Sequence, residues 1–311
     1  MSLFKHFVAF TLWAPSLVIA RECTVSPDDD PILVSSADAA LGLFADCSTI
    51  VANGILIGDD YNGTFSLAGV KNITGTLGRN GHSGLERIEM PDLQYLGGLW
   101  LVNTNVDYVY FENLLAITDA LHVQNAAHGI DMVFPNLTTV DAVTIGPSYS
   151  SLELPSLETV SSTIAIDACT ACNAPKEEPP AILNLPALSS VGFINVSGRL
   201  DRVDLPALTS AGWPAQSIDY PYDSGVRIRG MAVSLELAFP NLIAVDYQFN
   251  ISGTIRGLDI PSLEHTDARI IINSSIPLDL DLPLRDAATI ELAGQIAQSV
   301  PPTSSVSSSP N

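Results

Sequence analysis

Apolar residues recur around a proline along most of this chain, in the order apolar, x, apolar, Pro, x, Leu, x, x, apolar, then two or three residues, apolar, x, apolar. One copy reads Ile88, Met90, Pro91, Leu93, Leu96, Leu99, Leu101. Further copies begin at Met132, Leu152, Leu183, Val203, Leu237 and Leu258, each with its proline three positions on. Alternation at both ends of the unit is strand periodicity, in which every second side chain faces the same side of a sheet. Proline lacks the ladder N–H and is confined to edges, strand starts and bulges, so the chain must turn a corner at each copy. Self-similarity at a period of about twenty residues indicates a solenoid whose turns bury their apolar edges against one another.

One copy carries Glu112 in place of proline, and the last, Leu280, Leu282, Pro283, Leu284, Ile290, Leu292, falls out of register. β-Branched enrichment and frequent Gly, Pro and Asn between the runs favour strands over helices. Typical leucine-rich repeats carry an Asn or Cys column after the strand, and none is evident in this pattern. The expected fold is therefore all-β, a right-handed parallel β-helix of about ten coils over residues 21–292. Two longer intervals between prolines read as loops leaving the stack, one around Cys169 to Pro180 and one from Trp213 to Gly225.

The sequence carries 34 acidic and 13 basic residues, a formal charge of −21. That balance disfavours nucleic acid and anionic lipid as partners, because both are polyanions. At the N-terminus, Lys5 and His6 precede an apolar run from Phe7 to Leu12, and Val18 and Ala20 suit the −3 and −1 positions of signal peptidase. Residues 1–20 therefore read as a signal peptide; the run, broken by Pro15, is too short for a transmembrane helix. Six Asn-x-Ser/Thr sequons, at Asn62, Asn72, Asn136, Asn195, Asn250 and Asn273, agree with passage through the secretory pathway. Asn195 and Asn250 sit between inward-facing positions and are expected to point outward, where a glycan fits.

The four cysteines suit an oxidising compartment. Cys23 and Cys47 bracket the first turn and read as a bridge sealing the end of the core, worth on the order of 3 kcal/mol in the chain-entropy model. Cys169 and Cys172 would then pair within their loop, although four cysteines allow three connectivities. Zinc at this C-x-x-C needs further ligands at close quarters, and no second Cys/His pair accompanies it.

Candidate chemistry is sparse. Asp28, Asp29 and Asp30, and the pair Asp59 and Asp60, read as solvated loop residues rather than an acid–base cluster. The histidines His82, His122, His128 and His265 are scattered, and no Gly-x-Ser-x-Gly or phosphate-cradling loop is present. In the second loop Trp213, Tyr220 and Tyr222 offer faces for sugar rings, with Asp219 and Asp223 to bond hydroxyls. The competing reading folds those aromatics back over the solenoid as a cap.

The stretch from Cys23 through Ile32, Val34, Ser35, Ser36, Ala37 and Asp38 to Cys47 resembles the opening of fungal cell-wall organisation proteins. These are GPI-anchored surface glycoproteins related to sporulation-specific wall proteins, with receptor L-domain-like leucine-rich repeats. Ile55, Leu56, Ile57, then Leu67, Val70, Ile73, Thr74, Gly75 are similar to their early repeats, as are the copies LPSLETV, LPALSSV and FPNLTTV. The resemblance runs over residues 23–290. It implies a non-enzymatic protein of the fungal surface needed for wall assembly, without a cofactor and with no catalytic residues to carry over. A wall polysaccharide or wall protein is the implied partner. Family members end in a Ser/Thr-rich stalk and a hydrophobic tail for GPI attachment; here residues 293–311 form a Ser/Pro-rich tail without that apolar run. Two expectations follow: a product free in the medium, or a longer natural product that carries the anchor.

Overall fold

The computed structural model describes residues 21–25, 30–82, 84–126, 129–147, 149–168, 181–212, 224–298 and 306–308, with backbone alone at 232, 233, 297, 298 and 306–308. It is a parallel β-solenoid of about 11 turns, one more than the repeat count suggests, with a single short helix among the described residues. The wide sheet has 19 strands, more than one from some coils, and along its main side Asn72–Asn80, Tyr95–Val102, Ala116–Gln124, Thr139–Ile145 and Thr159–Ala168 lie side by side in consecutive coils. A five-stranded sheet, Asn62–Ser66, Gly84–Glu89, Tyr108–Tyr110, Ile130–Val133 and Tyr149–Glu153, forms another side of the early coils.

Each coil repeats the same inward positions, so like side chains stack in columns. Leu77, Leu99, Leu121, Val143, Ile164, Ile194, Val226, Phe249, Ile270 and Ile290 pair in succession along the wide sheet. Two residues on, Leu101, Val123, Ile145, Ile166, Val196, Ile228, Ile251, Ile272 and Leu292 form a second column. Both columns are buried, and burial of one such aliphatic side chain contributes about 1.5–3 kcal/mol. The last copy, irregular in sequence spacing, keeps register here, and pairing runs on past Leu292 to Gln298, with Val306–Ser308 beside Ile290–Leu292.

The proline corners are hydrogen-bonded β-turns. Leu93 donates to the Met90 carbonyl, Leu137 to Phe134, Leu157 to Leu154, Leu188 to Leu185, Leu208 to Leu205, Leu242 to Phe239 and Leu263 to Ile260, all over 3.2–3.4 Å. Proline takes the second position of each, where its fixed φ is already that of the turn. The third position forms a ladder between coils. Asn113 Nδ2 donates to the Pro91 carbonyl at 2.7 Å, Asn136 Nδ2 to Glu112 at 2.8 Å and Ser156 Oγ to Pro135 at 2.7 Å. Asn241 and Ser262 continue it onto Pro206 and Pro240.

An asparagine column, unexpected from the sequence pattern, also stands after three strands. Asn125 Nδ2 donates to Asn103 Oδ1 at 3.2 Å, and Asn103 Nδ2 to Asn80 Oδ1 at 3.3 Å. Asn103 and Asn125 adopt φ of 52° and 53°, the left-handed conformation that asparagine tolerates better than other side-chain-bearing residues. The β-solenoid stands all the same; only the premise that no such column exists needs correcting. Between the two halves of several wide-sheet strands the register slips, and Gly75 and Gly97 sit in two of these bulges. A Cβ on Gly97 would run into the Thr74 and Gly75 carbonyls, and one on Gly75 into those of Ala52 and Asn53.

The N-terminal end is closed by the helix Ala37–Phe44, which buries Ala40 and Phe44. Ser36 Oγ accepts the Ala39 N–H at 3.1 Å as its cap. Cys23 and Cys47 stand at disulfide distance, with Cα atoms 5.6 Å apart.

Two outcomes test this packing. Leu157, fully buried under its corner, should not tolerate aspartate: an unpaired charge inside the stack costs several kcal/mol, and Leu157→Asp should abolish the yield of folded protein on expression. Burial, reinforced by the Asp167 carboxylate, pushes the Tyr149 phenol up to about 12 from 10.0. A phenol harder to ionise in the fold stabilises fully below pH 10, and that contribution is lost as pH rises toward about 12. Denaturation midpoints should therefore fall across this window, and Tyr149→Phe should flatten the fall.

Candidate functional site: the outward face of the wide sheet

The alternation that buries the two columns points the residue between them outward. In the early coils this outward row reads Leu33, Leu56, Gly78, Trp100, His122, Thr144. Farther along it reads Ala165, Asn195, Arg227, Asn250, Ile271, Glu291. The two halves differ in chemistry.

The early half is apolar and aromatic. Leu33, Leu56 and Trp100 are 62%, 38% and 42% exposed. The Trp100 indole stacks on the His122 imidazole with ring centres 4.5 Å apart and planes 21° apart. Burial lowers the affinity of His122 for a proton, against an opposing hydrogen bond from Gln124. On the other side of Trp100 its row neighbour is Gly78, which has no side chain.

The later half is polar. A groove of about 570 Å³ is lined by Arg227, Arg229, Asn250, Ser252, Asn273 and Ser275. A second, of about 420 Å³, runs along Gln124, Asn125, Thr144, Asp167, Asn195 and Ser197. Arg227 donates to Gln248 Oε1 at 3.4 Å and lies over the Phe193 ring. Sequon asparagines therefore line both grooves, and a glycan on Asn195, Asn250 or Asn273 would occupy this part of the face.

All six sequon asparagines reach solvent: Asn62, Asn136 and Asn273 are exposed, and Asn72, Asn195 and Asn250 are partly so. Their neighbours Ile73, Leu137, Ile194, Val196, Phe249 and Ile251 are fully buried. Cys169, Cys172, His128 and the loop residues Trp213, Asp219, Tyr220, Tyr222 and Asp223 lie outside the described residues. His82 meets Asn105 at 2.9 Å and His265 meets Asp286 at 2.9 Å, each on its own part of the surface. Among the described residues no group of three or more His, Cys, Asp or Glu could hold a metal ion, and no helix is long and apolar enough to cross a membrane.

Asp59 is more than a solvated loop acid. Its carboxylate meets Arg79 Nη1 at 2.7 Å, and the Arg79 side chain is only 1% exposed. Arg79 takes an inward position opposite Leu101, where its guanidinium also donates to the Ile57 carbonyl at 2.8 Å and the Gly81 carbonyl at 3.1 Å. A cation thus ties two coils together through backbone carbonyls at the edge of the core.

Trp100 escaped the sequence reading, although the signal was present. Leu99 and Leu101 were both assigned inward, and the alternation that turned the sequon asparagines outward turns Trp100 outward as well. The comparisons add no assignment, since no family model, no curated protein and no solved structure matches the chain.

The stacked pair gives a spectroscopic test. Protonated imidazole quenches an adjacent indole, so tryptophan fluorescence should fall on acidification with a midpoint below 6.5. His122→Gln should abolish that titration; a midpoint at or above 6.5 would contradict a partly buried neutral ring.

Proposed function

We propose that this chain is a secreted or surface N-glycoprotein that contributes to fungal cell-wall organisation and integrity, without enzymatic activity. The observation that carries the reading is the placement of the sequons. Six asparagines fall at solvent-reaching positions of a stack whose adjacent residues are buried, and they spread over both sheets and a proline corner. That arrangement accepts bulky glycans without disturbing the core. At Asn136 the amide N–H donated to the Glu112 carbonyl survives glycosylation, because the linkage replaces one of two amide hydrogens.

The resemblance in the opening segment and the repeats supports the wall assignment, and the acidic surface fits neutral polysaccharide better than nucleic acid or anionic lipid. A rigid solenoid presenting a long outward face suits an organising role, in which distant positions on one partner are held at fixed spacing. The second reading is a soluble extracellular binding protein, and the exposed Trp100–His122 pair favours a glycan as its ligand.

An epitope tag placed after residue 21 in the native gene, followed by fractionation of the culture, tests the assignment. The expected product is extracellular or wall-associated and loses mass on treatment with peptide N-glycosidase. Release by phosphatidylinositol-specific phospholipase supports an anchored wall protein, and accumulation in the medium supports the soluble binding protein. An unglycosylated product retained inside the cell would overturn both.

A further inference from the structure

We propose that Trp100, Gly78 and Leu56 form a stacking subsite for a pyranose ring of a neutral glycan. The site rests on row geometry. Leu56, Gly78 and Trp100 occupy the same outward position in three consecutive coils. Adjacent strands lie about 4.8 Å apart, so the two walls stand about 9.6 Å apart with a glycine between them. Allowing a van der Waals half-thickness of about 1.7 Å for each wall leaves about 6 Å, room for one saturated six-membered ring laid against the indole. His122 covers only the far face of Trp100, and the near face looks across Gly78.

Polar groups stand at both ends of this slot. On the glycine's own strand, Thr76 and Asn80 are the outward residues two positions to either side, Thr76 partly exposed and Asn80 exposed. Asn80 Oδ1 is fixed by the Asn103 amide at 3.3 Å, and Asn80 keeps its own amide hydrogens for a ligand hydroxyl. An apolar face bounded by neutral hydroxyl and amide groups matches a pyranose, which presents C–H bonds on its faces and hydroxyls around its rim. Tyr108, an outward aromatic of the five-stranded sheet, is instead covered by the Arg87 guanidinium 4.3 Å from its ring centre. Sequon asparagines line the later grooves of the wide sheet, whereas Leu56, Gly78 and Trp100 themselves adjoin none in their row.

The test is titration of the purified secreted protein with laminarihexaose and chitohexaose, read by tryptophan fluorescence and by calorimetry, with heparin as a polyanionic control. Saturable binding of at least one neutral hexasaccharide is expected, with heparin inactive. Trp100→Ala should weaken it at least tenfold. Gly78→Val should weaken it similarly by filling the floor. At Gly78 an added Cβ meets only the Trp100 carbonyl oxygen at 3.5 Å and its Cβ at 3.9 Å, ordinary contacts that leave the fold intact. Affinities unchanged in both variants, or no binding by the native protein, would overturn the subsite. So would a concentration-dependent dimer that Trp100→Ala dissolves in the absence of glycan binding, which would assign the face to self-association. The choice of ligand class rests on the extracellular reading above, yet the two fail separately. A secreted glycoprotein that binds no hexasaccharide loses the subsite alone, whereas intracellular retention in the native cell removes that reading while the purified chain still reports on the slot.

Discussion

In-register stacking of each coil on the next is the constraint on which everything else in this molecule depends. No coil has a core of its own: a single turn offers a few aliphatic side chains along one edge, and they become buried only when the same positions recur above and below. The wide-sheet columns, from Leu77 to Ile290 and from Leu101 to Leu292, are that recurrence made physical. A slip of one residue would turn Leu99 and Leu101 outward and Trp100 inward, so register and surface chemistry are fixed by the same pairing.

Backbone polarity is handled by repetition as well. At the corners the carbonyls of Pro91, Glu112 and Pro135 accept from Asn113, Asn136 and Ser156 in the following coil, and the Asn80–Asn103–Asn125 column plays the same part where the chain leaves the wide sheet. Each bond of this kind adds about 0.5–1.5 kcal/mol, and its larger service is directional. Apolar columns attract without orientation, whereas amide ladders hold consecutive coils at one angle and one spacing. Arg79 belongs to the same class, a buried cation whose guanidinium bonds the Ile57 carbonyl of the preceding coil.

The architecture was legible because its signal is redundant: eight or more copies of one pattern outvote any single ambiguous run. What the pattern hid falls where one coil departs from the others. The asparagine column is offset by a residue at its first step, since Asn80 pairs in register with Val102 while its side chain accepts from Asn103, and a column sought at fixed offsets misses it. Arg79 occupies an inward position that reads as apolar in the coils after it. Trp100 was hidden by its own hydrophobicity, because a tryptophan between two leucines is easily absorbed into a core that alternation in fact denies it. The two loops that drew attention for their cysteines and aromatics lie outside the described residues, so the site with geometry behind it is one the composition did not advertise.

The closure at Cys23 and Cys47 has a mechanical meaning. In a stack where every coil is bonded only to its neighbours, tension along the chain does not load all the strands together; it peels turns from an end, one after another, as thread leaves a spool. At the N-terminal end the covalent link fastens the first strand to the one it lies on, so a pull there passes directly to Cys47 and leaves the intervening helix unstretched. At the C-terminal end the described strands are held by hydrogen bonds and packing alone. A stack built this way sheds turns more readily from its C-terminal end than from the linked one, and its early coils, with Trp100 among them, let go after the later ones.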